Sequence, residues 1–158
     1  MNKTRISHIF PAGIFVLLLI AAGSLYGQVQ ATLSITPTSI SFAAADPDTS
    51  PKITANQSVT VTMRTRWSQG HSWQLTLRAN GNLSDSATTA SIDISNISWT
   101  ATPSPFQDGT LVAGVAQLAA SDTGNDNLTG YLTFVFNNLW TYWAGSYAQT
   151  VTVTLAIY

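Results

Sequence analysis

Side chains able to carry acid–base or nucleophilic chemistry are scarce in this chain. Histidine occurs only at His8 and His71, cysteine is absent, and every acidic residue is an aspartate. Thiol chemistry is therefore excluded, and a Ser-His-Asp triad would depend on His71, although no serine lies in a G-x-S-x-G turn. We interpret His71, in the turn "SQGHS", as a solvated turn residue. The sequence predicts no catalytic residue and no enzymatic activity.

The aspartates are the remaining candidates for a glycosidase pair or a cation site. Two oxygen-rich stretches stand out, "DPDTS" with Asp46 and Asp48, and "SDTGNDN" with Asp122 and Asp126. Neither follows the spacing of a calcium loop, and turn residues produce such strings in loops. We expect all of the aspartates in loops or on outward strand phases, and a domain that folds without metal or cofactor. Calcium binding at either loop stays open.

The aromatic residues fall into two groups. Trp67, Trp73 and Trp99 continue apolar strand faces and are predicted to pack in the core or at its edge. The segment "NNLWTYWAGSY" lacks alternation, so Trp140, Tyr142 and Trp143 are placed on a connection between strands. Two interpretations stay open for them: they cap the core, or they contact a sugar ring or a neighbouring subunit.

Alternation with a period of two dominates the chain and predicts the elements that must position these residues. Apolar residues alternate with threonine, serine and arginine in short runs separated by turn signals such as Asn80-Gly81. The pattern predicts an all-β fold, an immunoglobulin-like β-sandwich of seven to eight antiparallel strands, with a closed barrel as the alternative. A change of phase near Asn96 predicts a bulge or a new strand. The residues expected between the two sheets include Val61, Trp73, Leu75, Phe134, Phe136, Val153 and Leu155.

The first 31 residues resemble a secretory signal peptide. Lys3 and Arg5 precede an apolar stretch, and the uninterrupted run from Ile14 to Ala22 is too short to span a bilayer comfortably. Cleavage is predicted after Gly23, Gly27 or Ala31, which leaves one β-sandwich domain over residues 32–158. We expect a secreted or extracytoplasmic protein at a bacterial surface, with no membrane span after cleavage.

The charge balance bears on the class of partner. The chain carries six lysines and arginines against seven acidic residues. Because nucleic acid binding needs a basic face, nucleic acid is not an expected partner.

The C-terminal stretch "AGSYAQTVTVTLAIY" resembles the last strand of exported bacterial Ig-like subunits, chaperone–usher pilins and spore coat protein U-like domains. The matching positions are Gly145, Tyr147, Thr150 to Leu155 and Tyr158. Trp73-Gln74-Leu75 is also similar to one motif of the W-x-L surface domains, whose second motif is absent here. The disulfide common in pilins is also missing.

This resemblance implies a function in assembly. The C-terminal strand ending at Tyr158 would complete an open sandwich, and an N-terminal extension of the next subunit would fill the remaining groove by strand addition. The candidate donor is "QVQATLSI", with Leu33 and Ile35 on its apolar face, unless cleavage after Ala31 makes them the first strand of a self-complete domain. The expected partners are further copies or a sister subunit, and a periplasmic chaperone. The alternative function is a small carbohydrate-binding module that uses the surface aromatics.

Overall fold

The chain forms an almost entirely β structure. The computed structural model describes residues 17–21, 30–67 and 70–158. Lys3, Arg5, Gly23 and Gly27 of the predicted leader lie outside these ranges. The strands are β1 (Leu17–Ala21), β2 (Gln30–Thr36), β3 (Lys52–Thr54), β4 (Val59–Arg66), β5 (Ser72–Ala79), β6 (Leu83–Asp85), β7 (Ser91–Ile92), β8 (Ile97–Thr102), β9 (Gly109–Thr110), β10 (Ala116–Thr123), β11 (Asn127–Asn137), β12 (Tyr147–Ala148) and β13 (Val151–Ile157).

These strands form two main sheets. The first has the order β1-β13-β5-β10, and the second has the order β2-β4-β11-β8-β9, with β3 beside the second half of β11. A small third sheet has the order β12-β6-β7. All pairings inside these sheets are antiparallel except that of β1 with β13. The predicted all-β, antiparallel sandwich is confirmed, whereas its immunoglobulin-like character stays a prediction.

The core lies where the alternating apolar faces meet. In β4, β5 and β13 every second residue is buried, because successive side chains of a strand point to opposite faces. Every residue predicted to lie between the sheets is buried, with at most 5% of its surface exposed: Val61, Trp73, Leu75, Phe134, Phe136, Val153 and Leu155.

The predicted change of phase near Asn96 is a turn of 3-10 helix over Ile94–Asn96. The Asp93 carboxylate caps it by accepting a 2.8 Å hydrogen bond from the Ser95 backbone N–H. That bond, helped by the Ser95 side chain, lowers the pKa of Asp93 from its ordinary value. The turn lets Ile94 and Ile97 both point into the core, although their odd–even phases differ.

Other predictions are wrong in detail. The expected loop "SDTGNDN" is strand up to Thr123, because β10 stays paired with β5 as far as Ser72. Asp85, expected in a loop or on an outward strand phase, is instead buried at the end of β6, where it accepts hydrogen bonds from the Ala87 backbone N–H and the Thr88 hydroxyl. These two bonds compensate for the loss of water around the carboxylate.

His71 is likewise not a solvated turn residue. Only 7% of it is exposed. Its ring lies 5.6 Å from the ring of the half-buried Trp67, so the two side chains pack against each other. A periodicity argument places a residue on a phase, but it does not show how a turn packs.

In the part of the chain that the structure describes, we find no helix with the length and apolar character needed to cross a membrane.

Candidate functional site

The outer edge of β13 is the first candidate surface. At the end of the strand, Ser72 and Tyr158 exchange two backbone hydrogen bonds of 3.3 and 2.9 Å. In an antiparallel pair such exchanges recur at every second residue. The backbone groups of Thr152, Thr154 and Ala156 therefore face β5, and those of the odd-numbered residues from 151 to 157 face the opposite edge. That edge is a row of backbone N–H and C=O groups. The residues that carry them point their side chains into the core, where Ile157 is half-buried and the others are buried.

This edge is occupied by β1. Leu17 to Ala21 run parallel to β13, with Leu17 opposite Val151 and Ala21 opposite Leu155. Within the described residues, β1 is the only strand on this side of β13. These five residues belong to the stretch predicted as the leader, and Gly23, Gly27 and Ala31 all follow it in the chain. Cleavage at any of the three predicted positions would remove β1 entirely.

The neighbouring edge of the second sheet is β2, which contains the predicted donor residues. Leu33 pairs with Met63 and Ile35 with Val61 of the same chain. Both side chains are only half-buried, whereas Met63 and Val61 are fully buried. Leu33 and Ile35 thus form a first strand within their own domain, but one held less completely than the central strands.

The opposite side of the sandwich is closed. The segment after β8 crosses from the second sheet to the first, and the Gln107 backbone N–H donates to Ala119 of β10 at 2.8 Å. The Phe106 ring packs directly on Gly130 of β11, where any side chain would overlap it. Trp99 covers Gly109 in the same way. Glycine is needed at these two positions because a buried ring approaches the backbone.

Tyr158 lies at one end of the sandwich. It is 64% exposed, and its hydroxyl lies 3.5 Å from the Gln74 side-chain oxygen, the outer limit for a hydrogen bond. It borders an open depression of about 560 Å³. The depression is also lined by Gly70, His71, Ser72, Thr123 and Gly124. The backbone hydrogen bonds between Tyr158 and Ser72 continue the pairing of β13 with β5, while the Tyr158 side chain faces outward.

The aromatic segment that follows β11 lies at the other end of the sandwich. Tyr142 is half-buried with its ring 5.8 Å from that of Phe136, and burial, followed by the negative charge of Asp93, raises its pKa. Tyr147 is buried and donates from its hydroxyl to the Trp143 carbonyl at 3.0 Å. Burial, followed by the charge of Asp85, raises its pKa too. These two tyrosines anchor the segment to the domain.

The two tryptophans of this segment point away from the core. Trp140 is 56% exposed, Trp143 is 79% exposed, and Leu139 beside them is 47% exposed. The Trp140 indole N–H donates to an Asp48 carboxylate oxygen at 2.7 Å. Of the two interpretations that the sequence left open, core capping describes Tyr142, whereas Trp140 and Trp143 are both exposed at this end. We call Leu139, Trp140, Trp143 and Asp48 the aromatic surface.

Asn138 fixes the loop that carries Asp48. Its side-chain amide donates to the carbonyls of Ala45 and Ser50 at 3.0 and 3.1 Å, and its backbone N–H donates to Pro51 at 2.9 Å. Asn138 is 1% exposed, and its side-chain oxygen has no hydrogen-bond partner among the described residues. The loop and the aromatic segment therefore form one packed unit.

The two oxygen-rich loops differ in role. In the first, the Asp46 carboxylate accepts from the Asp48 backbone N–H at 2.9 Å, which is turn chemistry. In the second, Asp126 accepts from the Trp73 indole N–H at 2.6 Å. Among residues 17–21, 30–67 and 70–158, no three His, Cys, Asp or Glu side chains are grouped as metal ligands.

The structure thus separates the predicted site residues. Trp140, Tyr142 and Trp143 lie together at one end, Tyr158 lies at the other, and Leu33 and Ile35 lie in the edge strand β2. Sequence reasoning missed Asp48 as a partner of Trp140, and it missed β1 as a strand. The alternating pattern of β13 was the signal for an exposed edge, but no local pattern indicates which segment pairs with it.

Comparison of the chain with family models, with curated proteins and with solved structures finds no match in any of the three.

Proposed function

We propose that this protein is an exported structural subunit of a bacterial cell surface that assembles with further chains by strand addition at the outer edge of β13. The observation that carries the proposal is the pairing of β13 with Leu17–Ala21, a segment of the predicted leader. Removal of the leader would expose unpaired backbone groups along a strand whose side chains already belong to the core.

The composition of the edge supports strand addition. Natural edge strands are protected by lysine, proline or bulges, and "VTVTLAI" contains neither residue. An added strand would restore the hydrogen bonds that β1 makes. Because these bonds involve only backbone atoms, the geometry accepts many sequences, and the apolar faces select among them.

The N-terminal strand of a second copy is the proposed donor. Leu33 and Ile35 are incompletely buried in their own domain, so exchanging them into another chain would cost less than exchanging a central strand. Cleavage after Gly23 or Gly27 would leave β2 whole, whereas cleavage after Ala31 would shorten it by two residues. The resemblance of the C-terminal strand to exported fibre subunits motivates the same reading, with a periplasmic chaperone as the partner that covers the edge before assembly.

The test compares two purified chains, one beginning at residue 14 and one at residue 28. Sedimentation velocity over a wide concentration range measures their mass, and electron microscopy detects fibres. We expect the shorter chain to grow in mass with concentration and the longer chain to remain monomeric. A folded shorter chain that stays monomeric at the highest concentration would refute assembly at this edge.

A further inference from the structure

A different surface carries a second function. We infer that the aromatic surface at the Trp140 end binds a neutral pyranose glycan. This site lies at an end of the sandwich, whereas β13 pairs along its side, so the inference does not depend on assembly.

The first argument is the anchoring of the Trp140 ring and of the Trp143 backbone. An exposed tryptophan usually changes rotamer freely, but the Trp140 indole is held by Asp48 at 2.7 Å. The backbone of Trp143 is held by the Tyr147 hydroxyl at 3.0 Å. Rigid anchoring lowers the entropy lost on binding. An indole face is apolar and can cover the C–H face of a pyranose ring.

The second argument is the polar group beside the rings. A carboxylate has two oxygens, and the Trp140 indole N–H donates to one of those of Asp48. Sugar hydroxyls donate strong hydrogen bonds to carboxylates, because the acceptor is charged. The loop that carries Asp48 is fixed by Asn138 and by Asp46, so the acceptor is positioned before a ligand arrives.

The third argument is charge, which separates a glycan from other occupants. The charged groups on the segments around this end include the carboxylates Asp46, Asp48, Asp85 and Asp93 and the cation Lys52, which lies opposite Asn137. A carboxylate beside the rings repels nucleic acid and anionic lipid headgroups. A neutral glycan offers hydroxyl donors to the carboxylate and apolar faces to the rings, and it meets no such repulsion.

The experiment uses the chain from residue 28 and a panel of neutral hexasaccharides built from glucose, N-acetylglucosamine, galactose or mannose. Isothermal titration calorimetry measures binding. We expect at least one sugar to bind, and we expect Trp143→Ala and Trp140→Ala each to weaken it about tenfold or more. Asp48→Asn should weaken it about three- to tenfold. Trp67→Phe, at the other end of the sandwich, is the matched control and should bind as the parent does.

Circular dichroism establishes that each variant is folded, which is expected because Trp140, Trp143 and Asp48 are exposed and Trp67→Phe keeps an aromatic ring at a half-buried position. Binding to none of the sugars, or binding that is unchanged in both tryptophan variants, would overturn the inference. So would binding to phosphatidylcholine vesicles in place of sugars, which would indicate a lipid surface. Loss of self-association in Trp143→Ala without any sugar binding would instead assign the surface to contacts between copies.

Discussion

The two sides of the sandwich differ in how their edge strands are covered. At the β9–β10 side, the chain crosses between the sheets and buries Phe106 and Trp99 against Gly130 and Gly109. At the β2–β13 side, the segment that pairs with β13 is five residues of the predicted leader. One side is closed by the domain's own core, and the other is covered by a segment that cleavage of the predicted leader would remove. Under the proposed function, the first side provides stability and the second side provides the edge at which another chain adds.

The largest expected effect is a loss of stability when the packing at the β9–β10 side is removed. Trp99 is 1% exposed, and its indole N–H donates to the Gln107 carbonyl at 2.9 Å. Trp99→Ala should lower the free energy of unfolding by about 3–5 kcal/mol, because it leaves a cavity and an unpaired carbonyl. Urea denaturation of the chain from residue 28 measures this loss. A change below about 1 kcal/mol would mean that this side is not part of the core.

A smaller effect is expected from overfilling the same side. A β-carbon at Gly130 would overlap the Phe106 ring, so Gly130→Ala should cost about 1–3 kcal/mol. Gly70→Ala is the matched control, because nothing lies within 4 Å of its added carbon. Thermal unfolding of both variants compares them. Equal melting temperatures would contradict the close packing of Phe106 on β11.

Once β1 is removed, the β2–β13 side should respond to mutation by a change in assembly and hardly at all by a change in stability. Thr154 and Thr76 are opposite each other on β13 and β5, both half-buried on the outer face. In the chain from residue 28, which lacks β1, Thr154→Lys puts a charge next to the unpaired edge of β13. This variant should abolish concentration-dependent association. Thr76→Lys, one strand further in, should associate nearly normally. Sedimentation velocity measures the association of each variant. Both variants should change the free energy of unfolding by no more than about 0.5 kcal/mol, and equal association of the two would break the comparison.

The smallest expected effect is on the pH dependence of stability, and it concerns Tyr142 at the Trp140 end of the sandwich. The pKa of Tyr142 is raised above its ordinary value of 10.0, first by burial. Between the unfolded and folded pKa values the folded chain holds more protons, so stability is full below pH 10 and falls as pH rises through the folded pKa. Urea midpoints from pH 8 to 11 should show this fall, and Tyr142→Phe should make it shallower. If Tyr142→Phe left the fall of the urea midpoint with pH unchanged, the pKa of Tyr142 would not be raised in the folded chain.

Much of the fold could be predicted from the sequence, and the reason is local. Alternation in β4, β5, β11 and β13 follows directly from the two faces of a strand, so the buried residues Val61, Leu75 and Phe134 are readable without a structure. The change of phase at Asn96 is also local, since it needs only one turn.

The site could be predicted only in part, because its contacts join distant parts of the chain. Trp140 and Asp48 are 92 residues apart, and nothing near either residue indicates the other. The pairing of β1 with β13 is similar, since any apolar segment could cover that edge. His71 and Asp85 show the same limit, because their burial depends on how turns pack.

The most direct test of the central claim locks β1 onto β13 and then releases it. Ile20 and Thr154 are opposite each other in the parallel pair, and the chain has no cysteine of its own. Ile20→Cys with Thr154→Cys should form a disulfide within one chain, whereas Ile20→Cys with Thr76→Cys should not. A protease site placed between residues 22 and 29 lets the locked chain be cut while β1 stays attached. Sedimentation velocity before and after reduction is the measurement. The account predicts a monomer while the disulfide holds and association once reduction releases β1; a cut chain with the same mass before and after reduction would contradict it.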